Sequence, residues 1–147
     1  MVYDRDTINI LLVEDNPGDV RLTEEAFKEC KRFVTIYNVA DGLEVVPFLK
    51  KEGVYSGSPR PDMIFLDLNL PKKKGHEVLE ELKSDEDFRT IPVVILTTSK
   101  AEEDIIKAYS LQANCFLQKP VNLDQFNDMV KSIDAFWFSF VEYVNKD

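Results

Sequence analysis

Residues 11–19 read LLVEDNPGD, an apolar run closed by the adjacent carboxylates of Glu14 and Asp15. A third carboxylate, Asp67, closes the run Met63–Leu66, which lies between Pro61 and Pro71. Two more apolar runs end in a hydroxyl and an ammonium: Thr97 after residues 92–96, and Lys119 after residues 114–118. Carboxylates gathered in one crevice repel one another and raise each other's pKa values. A hard divalent cation such as Mg²⁺ relieves this by taking carboxylate, carbonyl and water oxygens in an octahedron. A lysine and a hydroxyl alongside supply a point charge and hydrogen-bond donors, which a transferred phosphoryl group needs. Asp67 would be the nucleophile and carry an aspartyl phosphate, with the metal offsetting charge on the oxygens. Each group also has a plain alternative. A threonine at a strand end caps a helix, a strand-end lysine is a surface group, and an Asp or a Glu-Asp pair caps a turn or complements a helix dipole. Five such groups on one edge are harder to explain by capping.

The elements that must bring them there alternate along the chain. Residues 8–13 form a continuous apolar run, and Asn16 or Asp15 can cap the helix that follows, with Pro17 pre-set for its first turn. Asp19, Glu24 and Glu25 lie in the early turns of that helix, where the dipole favours them. Residues 34–40 are β-rich, Asp41-Gly42 turns the chain, and Leu43, Val45, Val46 and Leu49 mark a second helix. Pro47 sits inside it and predicts a distortion or a later helix start. The strand Met63–Leu66 leads into Asp67, and Gly75 precedes a helix striped by Val78, Leu79 and Leu82. Residues 92–97 are another buried strand, 101–109 a helix and 114–118 a short strand; the last helix starts near Asn122 or Leu123 and runs to about Val144. Strand and helix thus alternate five times with short connections, the rhythm of an α/β fold with parallel strands and helices on both faces. In such a sheet the strand ends open on one edge, where the binding crevice lies.

At 147 residues the chain fits one domain, and a formal charge of −9 argues against a broad nucleic-acid footprint. Lys72, Lys73 and Lys74 form the one basic triplet and read as a solvated loop. Cys30 and Cys115 are too far apart in sequence for a zinc motif and read as free thiols. No secretory signal pattern or bilayer-length apolar stretch is present, so a cytoplasmic protein is expected, with no membrane partner.

With FLDLNLP at 65–71, ILTTS at 95–99 and FLQKP at 116–120 added to LLVEDNPGD, the chain resembles a receiver domain of the two-component response-regulator family over nearly its full length. The resemblance implies a flavodoxin-like (CheY-like) doubly wound sheet of five parallel strands in the order 2-1-3-4-5. It further implies that residues 1–147 are a single receiver domain with no output domain. Asp67 matches the phosphoacceptor, Asp15 the direct metal ligand and Glu14 the second acidic position. Asn69 matches the residue that lends its backbone carbonyl to the metal, which would be Mg²⁺ with Mn²⁺ as a substitute. Thr97 matches the switch hydroxyl, Lys119 the lysine that pairs with the phosphoryl group, and Phe116 the aromatic switch position; plain burial on a short strand is the alternative for Phe116. Two positions depart from the common pattern: Lys74 stands where many members carry an acid, and Phe116 replaces a frequent tyrosine. A narrower likeness, carried by VEDNPGD, VRLTEEAFKE and a long aromatic C-terminal helix, is to the single-domain regulators that partner bacterial phytochromes. It implies a phytochrome-type histidine kinase as phosphoryl source, with the chain catalysing only its own phosphorylation and dephosphorylation.

His76 is the single histidine, too few for a zinc site or a histidine-based triad, and is expected on the solvent side of a helix start. In the last helix, Phe126, Met129, Val130, Ile133, Phe136 and Trp137 follow the stripe toward the sheet. Phe138, Phe140, Val141 and Val144 spread around the axis, so apolar groups must also point away from the core. The expected use of Phe136, Trp137, Phe138, Phe140 and Val141 is a homodimer interface. Two other functions compete with the receiver reading. A small aspartate-dependent phosphatase would place a second carboxylate two residues after its nucleophile, where this chain has Asn69. A pseudo-receiver scaffold would not need the acid, hydroxyl and lysine set.

Overall fold

Each apolar run divides its side chains between two cores. In the strand β1 (Thr7–Val13), Ile8, Ile10 and Leu12 enter one cluster while Leu11 and Val13 enter the other. The same division holds in β3 (Met63–Leu66) and in β4 (Val93–Thr97): Met63, Phe65, Val94 and Leu96 face one way, Ile64, Leu66, Val93 and Ile95 the other. A strand covered on both faces has no solvent side, which is why these runs show no polar alternation. This computed structural model describes residues 7–30, 33–98, 102–113, 115–119 and 122–135.

All five strands are parallel, in the order β2-β1-β3-β4-β5, where β2 is Phe33–Val39 and β5 is Cys115–Gln118. The order is the one the resemblance implied. On one face lie α1 (Pro17–Phe27) and α5 (Leu123–Ile133), which pack on each other and bury Ala26, Phe27, Phe126, Val130 and Ile133. On the other face α2 (Val45–Leu49) and α3 (Gly75–Lys83) bury Val45, Phe48, Val78, Leu79 and Leu82. The helix α4 (Glu102–Ser110) lies along α3 and β5.

Local signals set the helix starts. Asn16 caps α1, its side chain accepting from the Asp19 N–H at 3.1 Å, and Pro17 takes the first helical position. Asn122 caps α5 in the same way through the Gln125 N–H at 2.9 Å. Around Pro47 a 3-10 turn at Gly42–Glu44, capped by Asp41, comes first and α2 begins only at Val45. Pro47 then falls in the first helical turn, where no backbone N–H has an intrahelical acceptor to lose. The stripe of α5 is as read for Phe126, Met129, Val130 and Ile133. Phe136, Trp137, Phe138, Phe140 and Val141, the expected dimer residues, lie outside the described residues, as does the stretch to Val144.

His76 corrects its expectation. Its side chain is only 14% exposed, with Nε2 3.7 Å from Asp104 Oδ1 on α4. The packing of α4 against α3 covers a position that a helix start alone would leave open. The lysine triplet is solvated at Lys72 and Lys74, as read, and covered only at Lys73. Lys72 pairs with Asp41 at 3.5 Å, Lys73 pairs with Glu81 and is mostly covered, and Lys74 N–H donates to Glu77 at 3.2 Å. Neither Cys30 nor Cys115 is in a disulfide among the described residues. Among the described residues no helix is long and apolar enough to cross a membrane.

Candidate functional site

Val13 of β1 and Leu66 of β3 are partners in the sheet, so Glu14 and Asp67 are the next residues off two paired strands at one level. Backbone bonds hold both there: Asp67 N–H donates to Val13 O at 3.1 Å, and Glu14 N–H to Val39 O at 3.1 Å. Asn38 on β2 adds a clamp, its amide donating to Leu12 O at 2.9 Å and Glu14 O at 3.1 Å. On the far side Thr97 and Gln118 are partners across β4 and β5, and Lys119 N–H donates to Thr97 O at 2.8 Å. The strand register brings these residues to one edge from four parts of the chain.

The loop from Asp67 to α3 is held close by two glycines. A Cβ at Gly75 would lie 2.5 Å from Asp67 O and 2.6 Å from Leu68 Cα, and one at Gly42 would overlap the Lys73 carbonyl. Gly75 N–H also donates to Leu68 O at 3.2 Å, closing the loop on itself. Asn69 folds back inside it, its N–H donating to Asp67 Oδ1 at 3.0 Å and its Nδ2 to Thr97 Oγ1 at 3.4 Å.

Glu14, Asp15 and Asp67 present carboxylate oxygens within 4.8 Å of one another. Glu14 is 3% exposed and Asp67 5%, whereas Asp15 is open to solvent. Burial pushes the Glu14 carboxyl up to about 7; the hydrogen bond from Lys119 opposes this, and the Asp67 charge adds to it. The repulsion read from the sequence is therefore the smaller cause, and loss of water around Glu14 the larger one. Lys119, 8% exposed, is no surface group. Its ammonium bonds Glu14 Oε1, Asp19 Oδ2 at 2.9 Å and Asp67 Oδ2 at 2.9 Å. Burial by itself would lower its pKa, but hydrogen bonds to these three carboxylates outweigh that and raise it, so the lysine stays charged. A compact set of hard oxygen donors with an open flank at Asp15 suits an octahedral divalent cation that keeps some of its waters.

A family model for the response regulator receiver domain matches residues 10–131. The chain belongs to this receiver domain family. It is 48% identical over 132 residues to Response regulator Rcp1 of Synechocystis sp., covering 90% of each chain. The crystal structure of the phosphorylated cyanobacterial phytochrome response regulator RcpA superimposes with a TM-score of 0.85 at 47% identity, over 91% of this chain and 96% of that one. The Mn²⁺-bound form of Rcp1 gives 0.82 at 47% identity, over 89% and 94%. Receivers of this family act as phosphoacceptors that catalyse their own phosphorylation and dephosphorylation, not as general enzymes. The Glu14, Asp15 and Asp67 cluster of this receiver is suited to Mg²⁺-dependent phospho-aspartate chemistry.

Every residue expected at the strand ends is at this edge, Glu14, Asp15, Asp67, Thr97 and Lys119, and Asn69 joins them from the loop. Thr97 is fully buried. Phe116 is half-buried against the core on the α2 and α3 face, and its N–H donates to Tyr109 Oη at 3.2 Å. Pro120 and Ser99 lie outside the described residues. Asp19 is the contact that sequence reading missed: its carboxylate was accounted for by the helix dipole, yet it reaches Lys119.

Proposed function

We propose that Asp67 accepts a phosphoryl group from the phosphohistidine of a partner kinase, a phytochrome-type kinase by analogy with the named relatives. A carboxylate oxygen of Asp67 attacks phosphorus, the O–P bond forms, the N–P bond breaks, and the imidazole nitrogen keeps the electron pair and takes a proton. The observation that carries this reading is the Asp67 carboxylate at a strand end, 2.9 Å from a buried ammonium and inside the cluster with Glu14 and Asp15. Bound Mg²⁺, or Mn²⁺, would supply charge neutralisation for the phosphoryl oxygens, held by Glu14, Asp15, Asp67 and the Asn69 carbonyl. Lys119 offers the ammonium that pairs with the phosphoryl group, and Asn69 holds the Asp67 side chain in place through its N–H. Thr97, hydrogen-bonded from Asn69 here, would turn its hydroxyl to the phosphoryl group, with Phe116 packing differently in response.

The receiver signals through altered protein contacts. Its dimer interface is Phe136, Trp137, Phe138, Phe140 and Val141, and its compartment is the cytoplasm. A phosphatase reading is disfavoured by Asn69, which has no proton to donate or accept usefully in acid–base work. The pseudo-receiver reading is disfavoured by a buried lysine surrounded by acids, an arrangement that a scaffold has no need to maintain.

The test is intact mass after incubation with Mg²⁺ and acetyl phosphate. One added phosphoryl group is expected in the wild type, with none in chelator and none in Asp67→Asn. An adduct that persists in Asp67→Asn would assign the phosphoacceptor elsewhere. No adduct, together with no response to a beryllofluoride titration, would leave the scaffold reading.

A further inference from the structure

Lys119 has three carboxylate partners, and one of them differs from the other two. Glu14 and Asp67 belong to the cluster whose oxygens lie within 4.8 Å of one another, the group suited to a cation. Asp19 does not; it comes from the first turn of α1 and accepts from the ammonium at 2.9 Å. A divalent cation on Glu14 and Asp67 draws on the same two carboxylates that hold Lys119. Two positive groups would then compete for two carboxylates in a pocket with little water to screen them. Asp19 lies outside that competition.

The backbone around Asp19 is built to hold it there. Its N–H is fixed by the Asn16 cap at 3.1 Å, and its carbonyl accepts from the Thr23 hydroxyl at 2.7 Å, with Thr23 itself buried. The Asp19 side chain is 26% exposed, so the arrangement is not forced by core packing. Neither backbone bond uses the carboxylate, which leaves it free for Lys119. A helix dipole would be served equally well by an acid pointing into solvent.

We propose that Asp19 is a positioning residue for phosphoryl transfer: it anchors the Lys119 ammonium beside Asp67 when metal and phosphoryl group occupy the pocket. The proposal rests on the phosphoacceptor reading above. Asp19 touches neither the reacting oxygen nor the metal and acts through the lysine alone. Without it the ammonium follows whichever anion is nearest and loses its alignment with the phosphoryl oxygens.

The experiment is a double-mutant cycle on the rate of phosphoryl uptake from acetyl phosphate at saturating Mg²⁺, followed by intact mass. Asp19→Asn is expected to slow uptake about tenfold in the wild-type background, the scale of a modest misplacement at a reacting centre. In the Lys119→Gln background the same substitution should change the already slower rate by less than about twofold, since the group it acts through is gone. Asp19→Glu keeps the charge and should bring the rate back to within about threefold of wild type. If Lys119→Gln is too slow for comparison, the contrast between the Asn and Glu variants decides. Equal slowing in both backgrounds, or no slowing by Asp19→Asn, overturns the proposal and leaves a helix-start acid only. Loss of Mn²⁺ binding in Asp19→Asn by about 100-fold or more would make Asp19 a ligand instead, and would also overturn it. These failures are separable from failure of the underlying reading, in which Asp67→Asn would itself keep the adduct.

Discussion

Gly75 is seated against Asp67 so closely that a single added methyl would fall 2.5 Å from the Asp67 carbonyl oxygen. The obstacle is backbone, and no side chain can swing aside to make room. Gly75→Ala is therefore expected to cost about 1–3 kcal/mol in urea unfolding, the range for overpacking a tight site. It should also slow phosphoryl uptake, because the displaced loop carries Asp67 and Asn69. Gly57 has open space around it, so Gly57→Ala is the control and should stay within about 0.5 kcal/mol of wild type.

Asp15 separates cation binding from folding. It is the exposed member of the acidic cluster, whereas Glu14 and Asp67 are buried. Asp15→Asn should unfold in chelator with the wild-type midpoint or slightly above it, since a like charge has been removed. Mg²⁺ at 100 times its Kd should stabilise the wild type by about 2.7 kcal/mol and the variant by much less. Equal stabilisation of both proteins would place the cation elsewhere.

Lys51 carries a small strain that can be released. It follows α2 with φ of 58°, the left-handed region, in a helix ending where Lys51 N–H meets Phe48 O at 3.2 Å and Glu52 N–H meets Pro47 O at 3.0 Å. That closing pattern favours glycine, which has no Cβ to crowd the carbonyl. Lys51→Gly should raise stability by about 0.5–1 kcal/mol, read from the shift of the urea midpoint at unchanged slope. A lower midpoint would mean that the lysine side chain contributes more than its backbone strain costs.

His76 should make the protein acid-sensitive. Burial and then the Lys107 charge lower its pKa from 6.5, while Asp104 works the other way. The unfolded chain therefore takes up the proton first. Its contribution is fully present above pH 6.5 and is lost as pH falls from 6.5 toward the lowered folded value. Unfolding free energies of wild type and His76→Gln, measured from pH 8 to pH 5, should differ by an amount that moves against the wild type on the acid side. A difference independent of pH would show that the ring is solvated.

The strands and the edge they share were legible because both signals are local. An unbroken apolar run says that both faces are covered, and the residue that ends it is polar whatever the partner strand does. Pro47 announced a disturbance but left its form open, since a late start and a kink both satisfy a missing N–H. What the sequence could not display were contacts made across the fold. His76 looks like an exposed helix start until α4 is laid against it, and Asp19 looks fully explained by a dipole until β5 delivers Lys119. Gly42 and Gly75 read as ordinary turn and helix-start residues; their close approach to another backbone has no signature in neighbouring residues.

The distance along the chain between the pocket's charges has a consequence for how the protein is made. Lys119 is 52 residues from Asp67 and 100 from Asp19. On a ribosome that extends the chain from the N-terminus, Glu14, Asp15, Asp19 and Asp67 all emerge well before their ammonium. The nascent domain can pair β1 with β2 and β3, but until Lys119 arrives the acids at the ends of those strands depend on a proton or a cation for their balance. The residue just after β5 thus brings the chain's own counter-charge, so the ammonium reaches the acids as the sheet gains its fifth strand.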